Sequence, residues 1–264
     1  MDSVTTFPRA VRRDASATTR VLVLGGTGEA RRLAARIAAD ARLDGVVSLA
    51  GRTSAPLAQN LPTRIGGFGG AEGLARYLAD ERIARVIDAT HPFAARISTN
   101  ARAACATLGL PLLAFCRAPW ERGAGDRWIE VADLEAAALA PGAAPRRVFL
   151  TIGRQGVGAF RAAPQHHYLL RVIEAPDAGE LPPRCDLITA RGPFSRADEV
   201  ALMHANRIDC VVTKNSGGSQ TYAKIDAARD LALDVVMVAR PPSAGDAVYD
   251  IDAAMAFLTA PVLS

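Results

Sequence analysis

The sequence predicts an α/β protein with two Rossmann-like, doubly wound parallel-sheet domains and a cleft between them. Short apolar runs recur along the 264 residues, each bounded by glycine and polar residues. Runs this short, without polar alternation, belong to strands buried on both faces of a parallel sheet. Amphipathic helical patterns separate them, the alternation that such a sheet requires. The rhythm breaks once, near residues 116–147, where proline, glycine and arginine concentrate. A break of that composition at mid-chain divides the molecule into two domains of similar size.

In chain order, residues 1–19 lack an apolar segment and read as a loose extension. The first domain, 20–118, opens with the strand VLVL (21–24) and a helix over 29–40, whose apolar positions recur at three- and four-residue spacing. VVSLA (46–50), RVIDA (85–89) and LPLLAF (110–115) extend the sheet, with helices over 71–81 and 94–108. Residues 119–146 read as a linker. The second domain, 147–240, repeats the rhythm with strands VFLTI (148–152), YLLRVI (168–173), DLITA (186–190), DCVVT (209–213) and DVVMVA (234–239). Its helices fall over 155–162, 196–206 and 221–232. In the tail, 241–264, prolines stop the last strand and a short helix follows.

Half the residues are hydrophobic and 22% are charged, which excludes disordered and fibrous classes. No apolar run approaches the ~20 residues of a membrane span, and no secretory signal opens the chain, so a cytoplasmic protein without a membrane partner is expected. The net charge of +4 is spread along the chain with no dense basic run, which argues against nucleic acid. Of the 31 basic residues only Lys214 and Lys224 are lysines, and arginine's planar fork suits carboxylates and phosphates. Cysteines 105, 116, 185 and 210 lack metal-ligand spacing, so no metal is expected, and Cys105, Cys185 and Cys210 read as small buried residues. His166 and His167 read as an exposed turn, His204 as a helix residue without ligand partners, and Trp120 and Trp128 as packing groups. No GxSxG elbow anchors a hydrolase triad.

The sharpest motif is the first strand running into Gly25-Gly26-Thr27-Gly28-Glu29-Ala30 and directly into a helix. Glycines let the backbone approach a pyrophosphate, whose charge the helix amino end stabilises. Gly26 and Gly28 fit GxG, while Arg31 replaces the third glycine, so the position after the first strand carries the assignment. The second strand leads into Gly51-Arg52-Thr53-Ser54, a cation and two hydroxyls in place of an acidic residue, which suits a 2′-phosphate and selects NADPH over NADH.

Five further loops bear on a substrate. Gly66-Gly67-Phe68-Gly69-Gly70 sets an aromatic among glycines, fit to lie against a flat ligand. Asp88-Ala89-Thr90-His91-Pro92-Phe93 ends a strand at the sheet edge where ligands bind, and His91 is a hydrogen-bond or proton donor there. Gly153-Arg154-Gln155-Gly156 and Arg191-Gly192-Pro193-Phe194-Ser195 follow strands of the second half, with Ser195 a helix cap. Lys214-Asn215-Ser216-Gly217-Gly218 follows another, where Lys214 can hold a carboxylate or stabilise negative charge. Catalytic candidates are His91, Lys214 and, more weakly, Tyr222.

Together LGGTGEARRLA, SLAGRT, RIGGFGGAEGL, DATHPFA, GPFS and VTKNSGG, spread over residues 20 to about 240, resemble the precorrin-6A reductase family of cobalamin biosynthesis. The resemblance implies NADPH-dependent reduction of a ring double bond in a tetrapyrrole rich in acetate and propionate groups, giving precorrin-6B. It implies a cofactor site at Gly26, Thr27, Gly28 and Arg52, and a macrocycle held by the Phe68, His91, Arg154, Ser195 and Lys214 loops. The cobalt-containing branch of the pathway uses closely similar enzymes, and contacts with neighbouring pathway enzymes stay open. A short-chain dehydrogenase also begins with GGTG, but Tyr77, Tyr168, Tyr222 and Tyr249 all lack a lysine four residues on. A non-catalytic NADPH sensor would have little use for several polar loops on the second sheet.

Overall fold

The computed structural model describes residues 18–51, 57–241 and 247–261, and among these two six-stranded sheets carry the fold. The first half contributes β1 (Thr19–Leu24), α1 (Gly28–Ala38), β2 (Leu43–Leu49), β3 (Thr63–Ile65), α2 (Ala71–Asp80), β4 (Arg85–Asp88), α3 (Ala95–Leu108) and β5 (Leu112–Phe115). There follow β6 (Arg127–Val131), α4 (Leu134–Leu139), β7 (Arg147–Thr151), a 3-10 segment (Val157–Ala162), β8 (His167–Val172), β9 (Cys185–Thr189), α5 (Arg196–Ala205), β10 (Cys210–Lys214), α6 (Ala223–Asp230) and β11 (Asp234–Val238). The chain closes with β12 (Ala247–Val248) and α7 (Ile251–Thr259).

Strand orders are β12-β5-β4-β1-β2-β3 and β6-β11-β10-β7-β8-β9, and every pairing is parallel. Each sheet reverses its direction of winding once, between β1 and β4 and between β7 and β10. At such a point two consecutive loops diverge to opposite faces and leave a crevice at the carboxyl edge.

The apolar run of β1 is buried on both sides. Val21 and Val23 pack with α1 and α7, while Leu22 and Leu24 pack with α2 and α3. In β7, Val148 and Leu150 face one core and Phe149 the other. Two-sided burial is the reason these strands show no polar alternation.

Several expectations differ from the structure. The stretch read as a linker holds β6 and α4, and β6 pairs with β11 at the edge of the second sheet. The tail holds the expected short helix, α7, which covers α1, and beyond expectation supplies β12, paired with β5 of the first sheet. The sixth position of the first sheet is thus filled by chain that has already traversed the second. The helix expected over 155–162 is 3-10. His166 is fully buried, its Nδ1 accepting the Arg146 N–H at 3.2 Å, because the turn before β8 folds inward; His167 lies on β8 beside Asp186. Cys105 and Cys210 are buried, but Cys185, on an edge strand, is half-buried. Among the described residues no helix is long and apolar enough to cross a membrane, and no cluster of three or more His, Cys, Asp or Glu side chains is placed to hold a metal ion.

Candidate active site

The turn after β1 is built around Thr27. Its hydroxyl accepts the Ala30 N–H at 3.1 Å, capping α1, and donates to the Ala89 carbonyl at 2.8 Å, tying the turn to the end of β4. Gly26 has φ of +112° with nothing within 4 Å on its Cβ side, so the backbone there faces open space. An open glycine turn at the amino end of an eleven-residue helix has the room and polarity a pyrophosphate needs. Gly28 does a different job: a Cβ there would stand 2.8 Å from Nε2 of Gln220, a residue of the second half. Glu29 and Ala30 are buried in the first turn of α1. Gly51, at the end of β2, has φ of +70°, while Arg52, Thr53 and Ser54 lie outside the described residues.

The carboxyl edges of the two sheets meet. His91, after β4, and Ser216, after β10, lie 3.1 Å apart, Nε2 to Oγ. His91 Nδ1 accepts the Phe93 N–H at 3.2 Å, which leaves the proton of a neutral ring on Nε2, facing the Ser216 hydroxyl. Burial first, and then the charges of Arg117, Lys214, Arg240 and Lys224, push His91 down to about 3. His91 is therefore a neutral hydrogen-bond donor at physiological pH, not an imidazolium acid. Phe93 packs against the second-half core, with the Lys214 ammonium 5.5 Å from its ring.

Other expected residues fall into place unequally. The backbone of Phe68 and its glycines is braced by Arg64, which donates to the Gly66 and Gly67 carbonyls at 2.5 and 2.7 Å and stacks 3.9 Å from the Phe68 ring; Gly69 is exposed at the tip with φ of +77°. One face of that aromatic is thus already covered. Arg154 pairs with Glu174 at 3.3 Å, and Gln155 is exposed beside it. Ser195 caps α5: its Oγ accepts the Asp198 N–H and donates to the Asp198 carboxylate, so the hydroxyl serves the helix. Asn215 spends its amide on the Trp120 backbone, accepting at 2.8 Å and donating at 2.9 Å. The Cβ sides of Gly217 and Gly218 are filled by Ala118, Arg240 and Arg117, so these glycines admit the crossing chain. Tyr222 does not touch His91 or Ser216; its hydroxyl accepts from Arg229, which also holds Asp126 and Asp226.

The sequence reading missed a group that lies where the chain passes between the sheets. Arg240 donates to the Asn215 and Arg117 carbonyls at 2.8 and 2.7 Å. Lys224 is buried beneath the same loop, donating to the Thr221 carbonyl at 2.7 Å beside the Trp120 ring. Burial, with the nearby Arg171 charge, pushes it down to about 7. In a chain so rich in arginine, nothing local distinguishes Arg117 or Arg240 from a surface cation.

A family model described as "Precorrin-6x reductase CbiJ/CobK" matches residues 20–259. The chain is 55% identical over 224 residues to a precorrin-6A reductase of Rhodobacter capsulatus, covering 84% of this chain and 88% of that protein. It is 31% identical over 252 residues to a cobalt-precorrin-6A reductase of Salmonella typhimurium, covering 89% and 94%. A solved structure described as CobK precorrin-6A reductase superimposes with a TM-score of 0.85 at 51% identity, covering 91% of this chain and 96% of that one.

Proposed function

The chain belongs to the precorrin-6x reductase family, and from that premise we propose that it reduces a ring double bond of precorrin-6A to precorrin-6B, using NADPH. The observation that carries this reading is the junction of the two sheet edges. There a neutral His91 and Ser216 meet within reach of the Lys214 and Arg240 charges, a field that favours a polycarboxylate. Identity of 55% to a relative named for precorrin-6A, against 31% to one named for cobalt-precorrin-6A, favours the substrate without cobalt.

When bound, NADPH supplies the hydride. Gly26, Thr27 and Gly28 would hold its pyrophosphate, and Arg52 with Thr53 and Ser54 its 2′-phosphate. Lys214 and the backbone of the Phe68 loop would hold the macrocycle, with Lys214 balancing charge that grows as the ring accepts electrons. His91 Nε2–H orients Ser216 or a substrate oxygen without giving up its proton. Lys214 is then the remaining candidate for proton delivery among His91, Lys214 and Tyr222.

The test is anaerobic oxidation of NADPH by precorrin-6A, beside NADH and cobalt-precorrin-6A. Turnover with NADPH and the metal-free substrate is expected. Turnover with the cobalt compound alone would move the protein to the other branch, and no turnover while NADPH still binds would overturn the reading. Arg52→Ala is expected to weaken NADPH binding while leaving NADH binding unchanged.

A further inference from the structure

Arg117 sits on the chain that leaves β5 for the second half. Its Nε lies 3.4 Å from Glu29 Oε2, with side-chain exposures of only 11% and 8%. Glu29 Oε2 has no hydrogen-bond partner, so the ion pair with Arg117 is what offsets its charge on the inner side. Arg32 holds the other oxygen at 3.0 Å, but from solvent, where a pair contributes little. The Arg117 stem also lies over Gly218, whose Cβ would stand 2.5 Å from Arg117 Cδ. One side chain thus touches both the turn at 26–29 and the loop at 215–220.

A carboxylate in the first turn of α1 is stabilised by the helix amino end, yet it competes for the same positive field as a pyrophosphate. We propose that Arg117 is a positioning residue for the cofactor, neutralising Glu29 so that the turn at 26–28 accepts a dianionic pyrophosphate. This rests on the assignment of the dinucleotide to that turn. Without Arg117, Glu29 presents an under-compensated charge at the turn that would receive the pyrophosphate, and like charges repel there. The effect acts on the pyrophosphate, so NADPH and NADH suffer alike, unlike a change at Arg52.

The test is NADPH and NADH titration by nicotinamide fluorescence, without tetrapyrrole, on the full chain. Arg117→Met is expected to raise Kd for both about tenfold. Adding Glu29→Gln to it removes the stranded charge and is expected to bring Kd back to within about threefold of the starting protein. Glu29→Gln alone should bind at least as tightly as the unsubstituted chain. An unchanged Kd in Arg117→Met, or no recovery in the double variant, would overturn the proposal and leave Arg117 a packing residue. If Arg117→Met does not fold, the double variant decides, since binding tenfold weaker than the starting protein would itself refute charge neutralisation. Failure of the unsubstituted chain to bind NADPH would instead remove the cofactor assignment beneath both readings.

Discussion

His91 titrates far below the ordinary histidine range because burial and four cations oppose its charged form. The sign follows from linkage. Between pH 6.5 and 3 the unfolded chain binds a proton at this residue and the native one does not, so acid removes stability. The loss amounts to at most roughly 1.4 kcal/mol per pH unit from this group. His91→Gln keeps an N–H for Ser216 but cannot titrate, and its urea midpoint should fall less between pH 6.5 and 4.5 than that of the unsubstituted protein. Parallel curves for the two proteins would mean that His91 is exposed to solvent and titrates normally. The position of His91 was legible because it ends an apolar run at a sheet edge. Its neutrality was not, because Arg117, Arg240 and Lys224 reach it from distant parts of the chain.

Gly73 shows how an element is placed by another's backbone. It lies inside α2, where alanine would ordinarily gain about 1 kcal/mol in helix propensity. A Cβ there would stand 1.7 Å from the Phe68 carbonyl oxygen, which, being backbone, cannot rotate away. Gly73→Ala is therefore expected to destabilise by about 1–3 kcal/mol, the cost of overpacking. It should also shift the glycine loop that Arg64 braces, read as a lower Tm and a raised KM for the tetrapyrrole with Kd for NADPH unchanged. A rise in Tm would show that the loop yields. The same interplay explains which elements were legible. Strands with two buried faces announce themselves by unbroken apolar runs, as VLVL and DVVMVA do. β3 and β12 are three and two residues long, below any periodic signal, and β6 is an edge strand whose RWIEV interleaves charge with apolar residues. The glycine loops that follow strands were legible as loops at the carboxyl edge, because topology alone puts them there.

At the scale of the molecule, the first sheet takes its outermost strand, β12, from beyond the second, and the chain crosses between them twice, near Arg117 and near Arg240. The first core is completed by residues from beyond the second: Ala254, Met255 and Leu258 are buried against α1 and the sheet, with Ile251 and Phe257 packed beside them. Arg85 on β4 adds a hydrogen bond to the Ala260 carbonyl at 2.7 Å. Burying each large side chain contributes ~1.5–3 kcal/mol, so losing this set removes several kcal/mol. That is a large share of the 5–15 kcal/mol typical of a whole domain. Ending the chain after residue 241 should therefore unfold the half that carries the glycine turn. The second sheet, which keeps β6 at its edge, retains its own two cores. Circular dichroism should then show partial loss of structure, Trp120 and Trp128 fluorescence should stay that of buried indoles, and NADPH binding should vanish. A truncated chain that still bound NADPH within a few-fold of the full protein would show that the first sheet stands without its sixth strand, and that the returning chain serves only to join the halves.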